Sequence, residues 1–135
     1  SEEEILQGCQ KKGGLLGISG VSNDLRYVLK AADGGNERAK LAVDVFVTGI
    51  VHYIGAFFLD LGGLTDLVFT AGIGEHSDRI RARVCQRLGC IGVKLDAEAN
   101  QKNAPIISAP DSAVTVRVIP TDEELGIARR TYELV

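Results

Sequence analysis

A glycine-rich turn near the middle of the chain has the residue types and spacing of a ligand site. Residues 67–71 are Leu-Val-Phe-Thr-Ala, a continuous apolar run that is typical of a buried parallel strand. Residues 72–74, Gly-Ile-Gly, then turn the chain, and an amphipathic helix is predicted to open at His76 or Ser77. Ligands of open α/β sheets bind at the carboxyl ends of strands, where this turn falls. A glycine turn can equally serve tight packing alone, so both interpretations stay open.

The charges around this turn favour the adenosine part of a nucleotide over its phosphates. Glu75 and Asp78 flank the helix start, and carboxylates repel a phosphate but accept hydrogen bonds from hydroxyl and amino groups. The phosphate-loop sequence G-x-x-x-x-G-K-[ST] is absent from the sequence. The dinucleotide fingerprint G-x-G-x-x-G fails at its third glycine, where Ser77 stands, although Asp96 follows at a distance that suits a ribose. A dinucleotide-binding module of an oxidoreductase therefore stays an alternative.

Asp24 and Arg26 form a second candidate pair. The planar guanidinium of Arg26 can stack on a base or pair with a phosphate, and Asp24 can accept hydrogen bonds from hydroxyl or amino groups. A local explanation also exists, because an acidic residue in the first turn of a helix interacts favourably with the helix dipole.

Composition narrows the classes of protein. The 135 residues are 45% apolar and carry 15 Lys and Arg against 18 Asp and Glu, a net charge of -3. These values are typical of one globular domain and argue against a protein that binds nucleic acid through a broad basic field. The chain begins with Ser, lacks Met and shows no signal peptide, so we expect a piece of a longer chain.

The cysteines and histidines indicate neither disulfides nor zinc. The three cysteines form no C-x-x-C pair, which is typical of reduced thiols and predicts a cytoplasmic protein. His52 and His76 are far apart in the sequence and lack a third ligand at zinc-like spacing.

The order of predicted elements indicates an α/β fold in which helices cover a sheet. Strands alternate with helices along the chain, which is the pattern of α/β domains. Ser1 and Glu4 form an S-x-x-E capping box, so the first helix is predicted to begin at once. The predicted elements are a helix to about Gln10, an apolar loop or short strand over 15–20, a helix from Ser22 to about Ala32, a helix over 36–61, strands over 67–71 and 90–95, a helix over 77–88, a helical turn over 97–103, β-rich runs at 106–107 and 114–119, and a last helix with Thr121 as N-cap.

The stretch from Leu41 to Leu61 is long and apolar enough to span a bilayer, but an Asp within the hydrocarbon costs about 2.5–3.5 kcal/mol and Asp44 lies in this stretch. We therefore expect no membrane span and a central helix covered on several sides.

The helix over 77–88 is predicted to bury Ile80, Val84 and Leu88. Its arginines are predicted to form a solvated face: Arg79, Arg81, Arg83 and Arg87.

Three segments give the chain a family resemblance. Residues 67–75, LVFTAGIGE, closely resemble the V-F-T-x-G-I-G-E-N segment of acetate kinases. Residues 17–26, GISGVSNDLR, resemble their G-x-S-G-x-S-x-D-x-R segment, and residues 119–125, IPTDEEL, resemble I-P-T-N-E-E-L near their carboxyl end. The resemblance covers essentially the whole chain but only the C-terminal part of the family's length. It implies that residues 1–135 are the C-terminal nucleotide-binding domain, with the N-terminal domain absent.

The resemblance implies a fold and a set of nucleotide-binding residues. The fold would be the ribonuclease-H-like domain of the sugar kinase, actin and heat-shock ATPase superfamily, a mixed sheet flanked by helices. His76 departs from the family pattern, in which Asn is usual, and its larger ring is expected to alter nucleotide affinity or base preference. The nucleotide residues implied by the resemblance are Asp24, Leu25 and Arg26 in an adenosine pocket, and Gly72, Ile73, Gly74, Glu75 and His76 in a second segment.

The resemblance also implies a metal-linked carboxylate at Glu123. Thr121 and Glu124 have the spacing of a capping box, so Glu124 is expected to turn back to the Thr121 backbone and leave Glu123 free. Mg²⁺ usually takes one or two carboxylates, with water and phosphate oxygens as its other ligands.

The function implied by the resemblance is reversible phosphoryl transfer from ATP to acetate, which gives acetyl phosphate and ADP. ATP or ADP and Mg²⁺ would be the cofactors, and the family dimerises through its C-terminal domain, so a homodimer is expected.

The transfer chemistry belongs to the part of the family that precedes these motifs, so no residue of this chain is assigned a catalytic role and the chain alone is expected to be inactive. Acetate and propionate kinases share these motifs, and both substrates stay open. A dimerisation module without catalysis is a further alternative, with helix 36–61 as its face.

Overall fold

The computed structural model describes residues 1–134, and the last position of the predicted domain, residue 135, lies outside them. The chain divides into two compact units, Ser1–Ala56 and Phe57–Val135. Helices make up the first unit, whereas the second combines helices with a small sheet. The predicted α/β class is confirmed in this coarse sense.

Four helices build the first unit: α1 (Glu2–Gln7), α2 (Gly14–Ser19), α3 (Leu25–Asp33) and most of α4 (Glu37–Asp60). The capping box at Ser1 is confirmed, because the Ser1 hydroxyl oxygen accepts from the Glu4 N–H at 3.3 Å. The chain continues from α1 as a π-helix over Gly8–Lys12. The prediction of a loop or strand over residues 15–20 is wrong, because α2 covers most of them. Arg38 helps to explain the helix there, since its guanidinium donates to the carbonyl oxygens of Gly17 (3.1 Å) and Ile18 (2.8 Å) at the end of α2.

α4 is buried along its first half only. Its buried residues are Ala39, Ala42, Val43 and Val47, and Asn36 precedes the helix with its side-chain oxygen accepting from the Ala39 N–H at 3.0 Å. Farther along, Tyr53 and Leu59 are exposed, so the expected cover on several sides is not found in this half. By length and composition alone, α4 is the one helix within residues 1–134 that could cross a membrane, and 17% of its apolar window is buried.

The second unit is built around two parallel strands. β1 (Asp66–Phe69) pairs with β2 (Thr115–Val118), with Phe69 opposite Val118. Ile106 forms an antiparallel bridge with Arg117, so the pairing around β2 is mixed. α5 (Ala71–His76) and α6 (Asp78–Arg87) follow β1, and α7 (Ala97–Gln101) and α8 (Glu123–Glu133) complete the unit.

The strand predicted over 90–95 is wrong. A 3₁₀ turn occupies Gly89–Ile91, and only Leu95 pairs, through a single bridge with Ser108. Gly92 has a φ of +90°, and a Cβ there would lie 2.7 Å from the Ala113 side chain. The left-handed backbone and the close approach interrupt an extended run that hydrophobicity alone favours. Ile80, Val84 and Leu88 are buried as predicted, in a core shared with Ile107 and Val116.

Candidate functional site

The predicted Gly-Ile-Gly turn is a short helix that begins directly after β1. α5 runs from Ala71 to His76, and Thr70 precedes it in an extended conformation. Ala71 has a φ of 57°, in the left-handed region that a non-glycine residue uncommonly adopts. A Cβ at Gly74 would lie 3.3 Å from the carbonyl carbon of Phe69, so the glycine lets α5 approach the end of β1. The prediction that residues 72–74 form a turn is therefore wrong, although the segment lies at the carboxyl end of the strand as predicted.

Arg81 is buried, which contradicts the prediction that it lies on a solvated face. Its relative exposure is 0%, and its Nη1 donates to the carbonyl oxygens of Gly74 (2.9 Å) and Glu75 (2.8 Å). Its Nε donates to Asn100 Oδ1 at 2.7 Å. Its Nη2 donates to the Asn100 carbonyl oxygen at 2.7 Å and to Asn103 Oδ1 at 2.5 Å. The guanidinium thus joins the end of α5 to α7 and the residue two positions after it.

The Arg81 cation has neutral hydrogen-bond acceptors. Burial lowers the pKa of its guanidinium, and the negative charge of Asp78 acts in the opposite direction. The side-chain amide of Asn100 donates to the Asp78 carbonyl oxygen at 2.9 Å, so the acceptor is itself held in place. A buried cation without a paired carboxylate is tolerated when its donors are satisfied, and all five donors of an arginine can be matched here.

A sequence signal for Arg81 exists. Val84, Cys85 and Leu88 follow it by three, four and seven positions, and all three are buried. Residues at these spacings share one face of a helix. A polar residue on that stripe indicates a buried hydrogen-bonding group, so the spacing of Arg81 from these three residues is a sequence signal of its burial. Asn100 and Asn103 carry no such signal, because their role depends on where α7 packs.

Glu75 ties the end of α5 to the loop before α8. Its Oε1 accepts from the Thr121 hydroxyl at 2.7 Å and from the Thr121 backbone N–H at 2.9 Å. The Ala71 N–H donates to the same Thr121 hydroxyl oxygen at 3.2 Å. Both hydrogen bonds hold the pKa of Glu75 below its ordinary value. The bond from the Thr121 hydroxyl has the larger effect, and the bond from the Thr121 backbone N–H has the next largest. The carboxylate that the sequence suggests for nucleotide hydroxyls therefore has one oxygen already engaged.

Asp122, and not Thr121, caps α8. The Asp122 carboxylate accepts from the Leu125 N–H at 2.9 Å. The predicted capping box between Thr121 and Glu124 is wrong, because Thr121 directs its N–H and hydroxyl to Glu75. Glu123 and Glu124 are both exposed in the first turn. Capping therefore does not distinguish them, and the choice of Glu123 depends on the family resemblance alone.

The metal role of Glu123 stays a prediction. Across the part of the chain that the structure describes, no group of three or more His, Cys, Asp or Glu side chains could hold a metal ion. Mg²⁺ that binds together with a nucleotide takes one or two protein carboxylates and otherwise phosphate oxygens and water. An exposed carboxylate at the start of α8 fits that chemistry as a single ligand, direct or through water.

A cavity of about 230 Å³ lies beside the end of α5. β2 ends at Val118, one of its lining residues, so the cavity is at the carboxyl end of a strand, where ligands of α/β sheets bind. His76, the residue that departs from the family pattern, also lines it. The full lining is Glu75, His76, Asn103, Pro105, Val118 and Pro120.

The predicted adenosine residues of the first unit form a local ion pair. Asp24 caps α3, with its Oδ1 accepting from the Arg26 N–H at 2.9 Å, and Arg26 Nη2 lies 2.6 Å from Asp24 Oδ2. The Arg26 side chain lowers the pKa of Asp24. The Arg26 side chain is 87% exposed, whereas Leu25 is buried. The local explanation of Asp24 is confirmed as an N-cap, and its nucleotide role stays a prediction.

The predicted site residues thus fall into both units: 24–26 in the first, and 72–76 with Glu123 in the second.

Comparison with known proteins identifies close relatives. A model of the acetokinase family matches residues 1–129. The acetate kinase of Clostridium novyi is 48% identical over 137 residues, which cover 100% of this chain and 34% of that protein. The acetate kinase of Dictyoglomus turgidum is 53% identical over 135 residues, which cover 98% of this chain and 33% of that protein. These relatives are kinases, so the dinucleotide-binding alternative is not favoured.

Solved structures agree with this result. The crystal structure of Porphyromonas gingivalis acetate kinase matches with a TM-score of 0.88 and 41% identity, over 98% of this chain and 34% of that one. A propionate kinase from Francisella tularensis matches with a TM-score of 0.88 and 36% identity, over 96% of this chain and 33% of that one. The chain spans about a third of the length of the curated relatives it matches. The chain belongs to the acetokinase family.

Proposed function

We propose that this chain is the nucleotide-binding part of an acetate kinase, which reversibly transfers the γ-phosphoryl group of ATP to acetate. The observation that carries the proposal is the match of nearly the whole chain to acetate kinases at about half identity. The candidate site supports it, since α5 and its cavity lie at the carboxyl ends of the two parallel strands. The fold would then be the ribonuclease-H-like domain of the sugar kinase and actin superfamily, in a cytoplasmic protein.

Phosphoryl transfer depends on positioning and on cations that neutralise the moving group. In this proposal the exposed guanidinium of Arg26 stacks on the base or pairs with a phosphate, and α5 presents residues 72–76 to the nucleotide. Mg²⁺, when bound, neutralises charge on the transferring phosphates. Glu123 would hold it through one carboxylate. The groups that take up acetate would come from outside this chain.

The test is acetyl phosphate formation. We expect the full-length protein to make acetyl phosphate from ATP and acetate, and residues 1–135 alone to make none. The same assay with propionate identifies the preferred acid. Isothermal titration calorimetry with ADP and with NAD distinguishes a kinase from an oxidoreductase module. Binding of NAD in preference to ADP, or acetyl phosphate formation by residues 1–135, would contradict the proposal.

Substitutions at the adenosine pair are expected to affect the nucleotide selectively. Asp24→Asn keeps the capping oxygen of α3 and weakens the pair with Arg26, and Arg26→Ala removes the exposed guanidinium. Both variants should raise the KM for ATP several-fold and leave the KM for acetate within about twofold, because each weakens or removes one bidentate or stacking contact with the nucleotide. Asp24→Ala is a useful contrast, since it also removes the cap of α3 and should lower the melting temperature. Equal changes in both KM values would exclude an adenosine site here.

A homodimer is also part of the proposal. α4 exposes an apolar stripe of Leu41, Val45 and Tyr53, which are 54%, 45% and 65% exposed. Residues four apart share a helix face. Leu41 and Val45 are four apart, and Tyr53 lies two further steps of four along α4, so these side chains form one surface that a second copy could cover. Light scattering on the full-length protein should give twice the mass of one chain. Val45→Glu should shift the measured mass toward that of a single chain.

A further inference from the structure

We propose that Arg81 is a positioning residue that keeps α5 helical and so presents residues 72–76 to the nucleotide. The inference rests on the proposed function for its consequence, but its structural part concerns the chain alone. Arg81 is not one of the residues that the family resemblance assigns, and it lies behind the segment, buried under the end of α5.

α5 needs such support because it is too short to be stable by itself. It has six residues, and two of them, Gly72 and Gly74, have low helix propensity. The last carbonyl groups of any helix have no partner within it. The Ile73 carbonyl oxygen accepts from the Ser77 N–H at 3.0 Å, and Arg81 supplies the donors for the next two carbonyls.

An arginine suits this position better than any other cation. A guanidinium carries five N–H donors in a rigid fork, and Arg81 makes five hydrogen bonds with them. Its positive charge also lies at the carboxyl end of α5, where the helix dipole is negative. A lysine has three donors on one nitrogen and cannot reach both the helix end and the two asparagines in the same geometry.

The far side of the guanidinium is fixed as well. Asn100 is 3% exposed, accepts through its side chain and its carbonyl, and donates to the Asp78 carbonyl oxygen. Asn100 therefore holds the guanidinium on the side that faces away from α5. With the Gly74 and Glu75 carbonyl groups held from inside, the orientation of their peptide planes is set. The opposite side of α5 then faces a ligand in one conformation, which is the preorganisation that tight binding requires.

Hydrogen exchange and kinetics on the full-length protein test this proposal. We expect Arg81→Lys to speed amide exchange at residues 74–77 at least tenfold, while exchange in α3 is unchanged. The KM for ATP should rise about tenfold, with the KM for acetate within twofold. Arg87→Lys is the matched control on an exposed position of α6, and it should change neither readout.

A second variant covers the case in which Arg81→Lys does not fold. Asn103→Gly removes one of the five acceptors from an exposed residue whose φ of 51° a glycine adopts without strain. Its exchange is measured without nucleotide, so a ligand contact of Asn103 cannot contribute. We expect faster exchange at residues 74–77 by a smaller factor.

The outcomes separate the possible failures. Unchanged exchange at residues 74–77 in Arg81→Lys, or an equal increase in α3, would overturn the capping role. Faster local exchange with an unchanged KM for ATP would overturn the positioning role. If the wild-type protein forms no acetyl phosphate, the proposed function fails, and the exchange results alone decide whether Arg81 holds α5.

Discussion

Glu75→Ala is expected to raise the KM for ATP about tenfold, while Glu75→Gln has a much smaller effect. The Glu75 carboxylate joins α5 to Thr121, two residues before Glu123, through the two bonds that its Oε1 accepts. A glutamine oxygen can accept both bonds, whereas alanine accepts neither. These two hydrogen bonds, which we call the Glu75–Thr121 tie, connect the nucleotide segment to the start of α8. Glu75→Ala should therefore also raise the free Mg²⁺ concentration that gives half-maximal rate.

Thr121 variants distinguish the tie from a direct ligand contact of Glu75. Thr121→Val removes the hydroxyl that binds Glu75 and keeps the backbone donor, so part of the Glu75→Ala effect should appear. Thr121→Ser retains both donors and serves as the control. If Glu75→Ala impairs ATP use while Thr121→Val leaves it intact, Glu75 acts on the nucleotide itself, and its bond with the Thr121 hydroxyl has no role in binding.

The tie also carries a pH dependence of stability. The pKa of Glu75 in the folded chain lies below its ordinary value of 4.5 because Thr121 donates to the carboxylate. A depressed folded pKa gives stability that is fully present above the unfolded pKa and is lost as the pH falls through the folded value. The amide of Glu75→Gln does not titrate. Thermal melts from about pH 5 down to about pH 3 should therefore show a shallower loss of melting temperature in Glu75→Gln than in the wild type.

Patterns that depend on neighbouring residues predicted much of the second unit. The apolar run 67–71 contains most of β1, and the burial of Ile80, Val84 and Leu88 follows from the 3.6-residue period of α6. Ser77 precedes α6 and its hydroxyl accepts from the Ile80 N–H, as one of the two predicted helix starts required. These features need no knowledge of the rest of the fold.

The helix at α5 could not be predicted, because its partners come from distant parts of the sequence. Glycines at two of its six positions indicate a turn, since each lowers helix stability by about 1 kcal/mol relative to alanine. The compensating bonds come from Arg81 within α6 and from Thr121 before α8. The same applies to the start of α8. Two adjacent residues, Thr121 and Asp122, can both cap it, and Glu75, 46 residues earlier, decides which of them does.

The two glutamates at the start of α8 are expected to differ in their effect on Mg²⁺ use. Glu123→Gln is expected to lower kcat about 10- to 100-fold at limiting Mg²⁺ and to shift half-maximal rate to higher free Mg²⁺, as loss of groups around a metal does. Glu124→Gln should leave the Mg²⁺ curve unchanged. Because Asp122 caps the helix, both glutamates are exposed first-turn acids, and their replacement should alter the melting temperature equally and slightly.

This equality makes Glu124→Gln a matched control for Glu123→Gln. Both variants remove one negative charge from the same helix turn, so the general attraction of that turn for a cation falls by a similar amount in each. The two variants should therefore differ only if one of the two carboxylates is itself a ligand of Mg²⁺, directly or through water. The rate would be measured against free Mg²⁺ at saturating ATP and acetate in the full-length protein. A larger shift in Glu124→Gln would move the metal role to Glu124. Equal shifts in both would mean that the turn attracts the cation only through its total charge, and that neither carboxylate belongs to the metal shell.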